Sequence, residues 1–80
     1  MSNTYEQIYD EVKQTYQILR TLFNLDEINF EQEKFEVYNH CSGISIFLQV
    51  KYPNMDDQKF IDAITNFNIA LDKFSLHIIN

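Results

Sequence analysis

The side chains in this sequence best suited to covalent or metal chemistry are His40, Cys41 and His77. A thiolate beside an imidazole is a nucleophile and base pair, and the same three side chains are the strongest nitrogen and sulfur ligands for a metal. His40 and Cys41 are adjacent, and adjacent residues on a strand point to opposite faces. Structural zinc also needs four such ligands at paired spacing. We therefore expect no metal site and no catalytic residue in this set.

Asp56 and Asp57 are a second candidate pair, since two carboxylates can act as acid and base or bind magnesium. They stand where a helix is predicted to begin, and the helix dipole stabilises acidic residues there without any further role. A phosphate-binding loop needs several glycines, and the sequence has only Gly43. The sequence therefore predicts that the chain is not an enzyme and that it binds no cofactor.

The most unusual segment is "DEINFEQEKFEVY", residues 26–38, which carries five carboxylates against Lys34. If it forms strands, residues two apart on one face are about 6.6–7 Å apart, close to the phosphate repeat along a DNA strand. On that basis Glu31, Glu33 and Glu36 could imitate a short row of phosphates. The alternative is solvated charge that keeps a small protein soluble and protects strand edges.

Two segments show the spacing of amphipathic helices. Apolar residues recur at three and four positions over about 4–23, after Asn3 or Thr4 as an N-cap, and again over about 55–73. Both segments therefore predict helices with one apolar face.

Between the helices the apolar residues alternate with polar ones, which is typical of strands. We predict three strands, and the sequence "NHCSG" predicts a turn before the third. The segment 75–79 predicts a further short strand or an extension of the second helix, and its β-branched residues favour the strand. The predicted strands are at about 27–31, 34–39 and 44–52.

These elements predict a single α+β domain over residues 1–80, in the order α-β-β-β-α. Two helices would cover one face of a small antiparallel meander sheet in a two-layer fold. The open face would carry the three glutamates together with Tyr38 and Phe47. An aromatic such as Phe47 on the open face must pack against something.

The net charge of −6 is concentrated in residues 1–40, which hold eight acidic residues against three basic ones. The six Lys and Arg residues are scattered, so we expect neither direct nucleic-acid binding nor docking on an anionic membrane. The negative electrostatic potential produced by this charge favours a protein partner with a basic surface. No secretory signal follows Met1, and one cysteine cannot form an internal disulfide, so we expect a location in the cytoplasm of a bacterial host.

These features favour a small acidic, non-enzymatic protein-binding protein. It would be a phage- or plasmid-type inhibitor, an acidic decoy or DNA mimic that occupies the basic surface of a nucleic-acid-handling or defence protein. Its predicted contact residues are Glu31, Glu33, Glu36, Tyr38 and Phe47. The alternative is a homodimeric adaptor, immunity or chaperone-like protein in which the acidic residues only give solubility.

Overall fold

The fold is all-α. The computed structural model describes residues 4–79, and within this range the chain forms the helices α1 (Tyr5–Phe23), α2 (Lys34–Lys51) and α3 (Gln58–Ile79). No strand occurs in this range, so the predicted α+β sandwich with a meander sheet is wrong.

Helix α1 is capped at both ends by local side-chain and backbone hydrogen bonds. Thr4 and Gln7 form a capping box, in which the Gln7 backbone N–H donates to Thr4 Oγ1 and the Thr4 N–H donates to Gln7 Oε1. At the other end Asn24 takes the left-handed conformation, with φ of 55°, and its N–H donates to the Arg20 carbonyl. Asn3, the other predicted cap, lies outside the described residues.

Residues 24–33, which we call the return segment, carry the chain back along α1 before α2 begins. Helix α1 has 19 residues and rises about 28 Å, while ten extended residues reach about 33–36 Å. The Tyr16 hydroxyl donates to the carbonyl oxygen of Asp26 at 2.5 Å, and the Tyr9 hydroxyl donates to that of Phe30. These two bonds hold the return segment against α1.

Because the return segment spans the length of α1, helices α1 and α2 run in the same direction and α3 runs against both. The ring contacts show this: Tyr5, at the start of α1, lies against His77, with 5.5 Å between ring centroids. Phe23, at the end of α1, meets Phe60 near the start of α3, with centroids 4.9 Å apart. Helix α3 packs along most of α1, and α2 packs mainly on α3.

The core lies between α1 and α3 and is completed by one side of α2. The Tyr16 and Phe67 rings meet at its centre, with centroids 5.8 Å apart. Helix α2 also contributes Ser45, whose hydroxyl donates to Asn68 Oδ1 on α3 at 2.5 Å. The buried apolar residues are Ile8, Val12, Tyr16, Leu19, Ile28, Val37, Cys41, Leu48, Ala63, Phe67, Ala70, Leu71 and Phe74.

The strand predicted at 44–52 is the last part of α2, and its alternation has a helical origin. Ile44 and Leu48 are separated by four residues and pack towards the core. Ile46 and Val50 are also separated by four residues, and they are exposed on the other side of the helix. Two such pairs, interleaved, produce the period of two that is typical of a strand.

The other strand predictions are also wrong. Residues 27–31 belong to the return segment, where Ile28 is buried without any ladder of strand hydrogen bonds. Residues 34–39 form the first turns of α2, and the predicted turn at 39–43 lies inside that helix. At residues 75–79 the favoured strand is wrong and the alternative, an extension of the second helix, is confirmed, because Phe74 and Ile78 extend the helical spacing and both contact the core.

We expect the Tyr16→Phe substitution to lower the free energy of unfolding by about 1–2 kcal/mol, because the hydrogen bond from the buried Tyr16 side chain to the Asp26 carbonyl would be lost. Urea unfolding followed by circular dichroism measures this. Tyr52→Phe, at an exposed position, is the matched control and should change stability by less than about 0.5 kcal/mol. Equal effects of the two substitutions would contradict the role given to the Tyr16 hydroxyl.

Candidate interaction face

The side of α2 turned away from the core carries four large, exposed apolar side chains. At 100° per residue, Phe35, Ile46 and Val50 lie within an arc of about 60°, and Phe47 lies about 60° beyond it. Their exposed fractions are 57%, 62%, 74% and 52%, in the order Phe35, Ile46, Val50, Phe47. We call these four residues the outer face of α2.

The opposite side of the same helix is also apolar. Val37, Cys41 and Leu48 point about 180° away from the outer face and are fully or almost fully buried. Helix α1 differs, because its buried residues define one side and its charged residues lie away from them. An ordinary surface helix has one apolar stripe. Helix α2 therefore has a second stripe that the described part of this chain leaves in solvent.

Three of the four outer-face residues, Ile46, Phe47 and Val50, lie in the longest segment of the sequence without an Asp, Glu, Lys or Arg residue, which is the fourteen residues 37–50. Glu36 precedes this segment and Lys51 follows it. Lys51 Nζ is 5.4 Å from the centroid of the Phe47 ring, so a cation borders the outer face at its C-terminal end. The outer face is thus uncharged between Glu36 and Lys51, and charged residues lie at its two ends.

Gly43 lies near the middle of the outer face, in the interior of α2. A glycine there costs about 0.5–1 kcal/mol relative to alanine. A Cβ atom at Gly43 would meet nothing within 4 Å, and its φ is not positive, so neither packing within the chain nor backbone conformation requires a glycine.

The three predicted glutamates are exposed near the start of α2, but not in a strand. Glu31 lies in a turn, where its backbone N–H donates to Oδ1 of Asn29. Glu33 is the N-cap residue of α2 and Glu36 lies in its first turn. The strand spacing that suggested a phosphate row is therefore absent.

The two predicted aromatic residues fall in different places. Tyr38 is half-buried and packs edge-on against Phe74, with ring centroids 6.2 Å apart, so it belongs to the core contact. Phe47 belongs to the outer face. Sequence reasoning missed the rest of that face, Phe35, Ile46 and Val50. The missed signal was the four-residue spacing of Ile46 and Val50 within a long uncharged segment.

The residues suited to covalent chemistry are not arranged for it. Cys41 is fully buried, and burial raises the pKa of its thiol to about 12, whereas His40 is exposed on another side of the helix. Asp57 Oδ1 accepts the backbone N–H of Lys59 at 3.0 Å, so it caps the start of α3. Among residues 4–79, no three His, Cys, Asp or Glu side chains are grouped so that they could hold a metal ion.

An open cavity of about 560 Å³ lies where α1 and α2 end and α3 begins. Its aromatic wall is formed by Phe23, Tyr52 and Phe60, and Asp56 and Asp57 also line it. Phe23 contacts both other rings, with centroids 5.4 Å from Tyr52 and 4.9 Å from Phe60. The cavity could accept one apolar side chain, but no charged group is buried within the described residues around it.

Comparison with protein-family models, with curated proteins and with solved structures gives no match to this chain. None of the three described helices is both long enough and apolar enough to cross a membrane.

We expect Cys41 to resist alkylation by iodoacetamide at pH 8 in the folded protein. With a pKa of about 12 instead of 9.0, its thiolate fraction at this pH is lower by about a thousandfold, and the sulfur is buried as well. Mass spectrometry of timed samples, with and without 6 M guanidinium, measures the reaction. Rapid alkylation of the native protein would contradict the burial of Cys41.

We expect Gly43→Ala to raise the free energy of unfolding of the monomer by about 0.5–1 kcal/mol, since the new methyl group favours the helix and meets no neighbour. Urea unfolding at a submicromolar protein concentration measures this. Destabilisation under those conditions would show that Gly43 is required within the monomer.

Proposed function

We propose that this chain is a non-enzymatic protein-binding protein whose contact surface is the outer face of α2. The observation that carries the proposal is the exposure of four large apolar side chains on one side of one helix. Contiguous exposed apolar patches on small proteins mark surfaces that bind other molecules.

The composition of the outer face agrees with that of protein interfaces. Such interfaces have an apolar, aromatic-rich centre and a polar rim, and a few aromatic residues supply most of the affinity. Phe35 and Phe47 are aromatic anchors of this kind. Glu33 and Glu36 stand at one end of the outer face and Lys51 at the other, in the position of a rim.

The three glutamates keep a role in this proposal, but a smaller one than in the decoy hypothesis. They border one end of the outer face, and rim charges mainly change association rates. An inhibitor that mimics DNA stays a prediction from the sequence, and its strand-spacing argument does not apply to a turn and a helix start. The uncharged centre of the outer face favours a partner that is apolar at the contact.

The proposal is tested by site-specific photo-cross-linking in the cells that naturally contain the protein. Replacing Ile46 with p-benzoylphenylalanine places the cross-linker at the centre of the outer face. The matched control carries it at Ile69, which is exposed on α3 with a fraction of 47%. We expect a discrete cross-linked protein band from position 46 and none from position 69.

A second variant separates binding from accidental proximity. With the cross-linker at Ile46, an added Val50→Lys substitution should lower the yield of the band at least fivefold, because it puts a charge into the apolar contact. Equal bands from positions 46 and 69, or no band from position 46, would overturn the proposed function.

A further inference from the structure

We propose that the partner of the outer face is a second copy of this chain, with the two α2 helices packed antiparallel across a twofold axis at Gly43. This inference rests on the proposed function, since it names the partner of the same surface. Three features of α2 favour this pairing: the spacing of the apolar residues, the position of Gly43 and the distribution of charge.

The two ends of the outer face lie at nearly equal distances from Gly43 along α2. Phe35 lies eight residues before it and Val50 seven residues after it, while Asn39 and Phe47 lie four residues before and after it. In an antiparallel pair of identical helices, each half of the face meets the other half. Phe35 would then contact Val50 of the second copy, and Asn39 would lie beside Phe47 of the second copy.

Gly43 would lie at the crossing point of the two helices. A residue without a Cβ atom lets two backbones approach closely, and this is a common reason for a glycine at such a contact. Among residues 4–79, no atom lies within 4 Å of the position that a Cβ atom of Gly43 would take. A second helix in that space accounts for a glycine that the isolated chain does not need.

The charges at the ends of the outer face favour the antiparallel arrangement. Glu36 and Lys51 are about 60° apart around the helix axis, on the side where Phe47 lies. Antiparallel packing brings each Glu36 next to Lys51 of the second copy, twice in the dimer. Parallel packing would instead put Glu36 beside Glu36 and Lys51 beside Lys51, which is unfavourable.

Two properties favour a second copy over a different protein. The first is that spacing and charge both make this face complementary to itself. The second is that each copy carries a net charge of −6, yet α2 has no Asp or Glu between Glu36 and Lys51, so most of the surface that would meet the second copy is free of acidic residues. Small domains also commonly gain stability by association.

The test is sedimentation equilibrium of the full chain between 1 and 200 μM. We expect a mass near twice 9.6 kDa at the higher concentrations. Glu36→Lys and Lys51→Glu should each raise the dissociation constant about tenfold, and the double variant should return it to within about threefold of the original. Restoration by the double variant is an effect that simple misfolding does not produce.

Glu6→Lys is the matched control. Glu6 is an exposed acidic residue in the first turn of α1, as Glu36 is in the first turn of α2, and the charge change is the same. We expect its dissociation constant to stay within about twofold of the original, since Glu6 is not on the outer face.

The relative direction of the two α2 helices is tested by disulfide formation between two variants. Because Cys41 is buried, the introduced thiols are the reactive ones. Mixing Phe35→Cys with Val50→Cys should give the mixed disulfide in excess over the Phe35→Cys homodimer. A predominance of the homodimer would indicate parallel packing and overturn the antiparallel proposal.

The remaining outcomes separate the two proposals. A monomer at 200 μM, together with a cross-link from position 46 to a different protein, overturns the second copy and leaves the proposed function standing. A monomer without any cross-link overturns both. A dimer that neither charge reversal weakens overturns the pairing of α2 with itself.

Discussion

The arrangement of the helices depends on the hydrogen bonds that Tyr9 and Tyr16 donate to the return segment. A short turn after α1 would have made α2 antiparallel to its neighbour, with both helices side by side. The ten residues 24–33 instead run back along α1, so α2 starts beside the start of α1 and shares its direction. Helix α3 then closes the bundle against α1 and leaves one whole side of α2 uncovered.

This geometry makes α2 the most lightly held helix of the described chain. It packs on the rest of the bundle through a narrow inner side and makes few hydrogen bonds to α3. One is the Ser45 to Asn68 hydrogen bond, and another is donated by Lys34 Nζ to the His77 carbonyl at 2.7 Å. A domain of this size buries only a small apolar core, so burial of a second apolar side of α2 would stabilise it appreciably. Binding at the outer face, as proposed, would therefore stabilise the fold through the same helix.

The sequence predicts elements with one apolar side much better than elements with two. Helices at about 4–23 and 55–73 were expected from spacings of three and four, and α1 and α3 occupy Tyr5–Phe23 and Gln58–Ile79. Helix α2 was missed because interleaved pairs on its two sides imitate a strand, and because Gly43 resembles a turn residue. In the return segment the period of two does reflect a local feature, since Ile28 is buried between exposed neighbours. What it lacks is a neighbouring strand.

The mistaken assignment of α2 as a strand also affected the prediction of the candidate site. Phe47 was recognised because an aromatic on the polar side of a strand needs a partner, and that argument also holds on a helix. In the predicted strand at 44–52, Ile46 and Val50 alternate with Phe47 and would therefore lie on the face that the helices cover, so the strand prediction did not indicate their exposure. The glutamates were chosen for a strand spacing that depends on the missing sheet. Which side of a helix stays uncovered depends on the path of the return segment, and no local pattern encodes that path.

The most direct measurement of the central claim, that the outer face of α2 is covered by the same face of a second copy, is an isotope-filtered NOE experiment. Equal amounts of ¹³C-labelled and unlabelled chain are mixed at a concentration well above the dissociation constant. The account predicts intermolecular NOEs between the Phe35 ring and the Val50 methyl groups, and between the Gly43 α-protons of the two copies. Intermolecular NOEs between the two Phe35 rings, or none from the outer face, would contradict it.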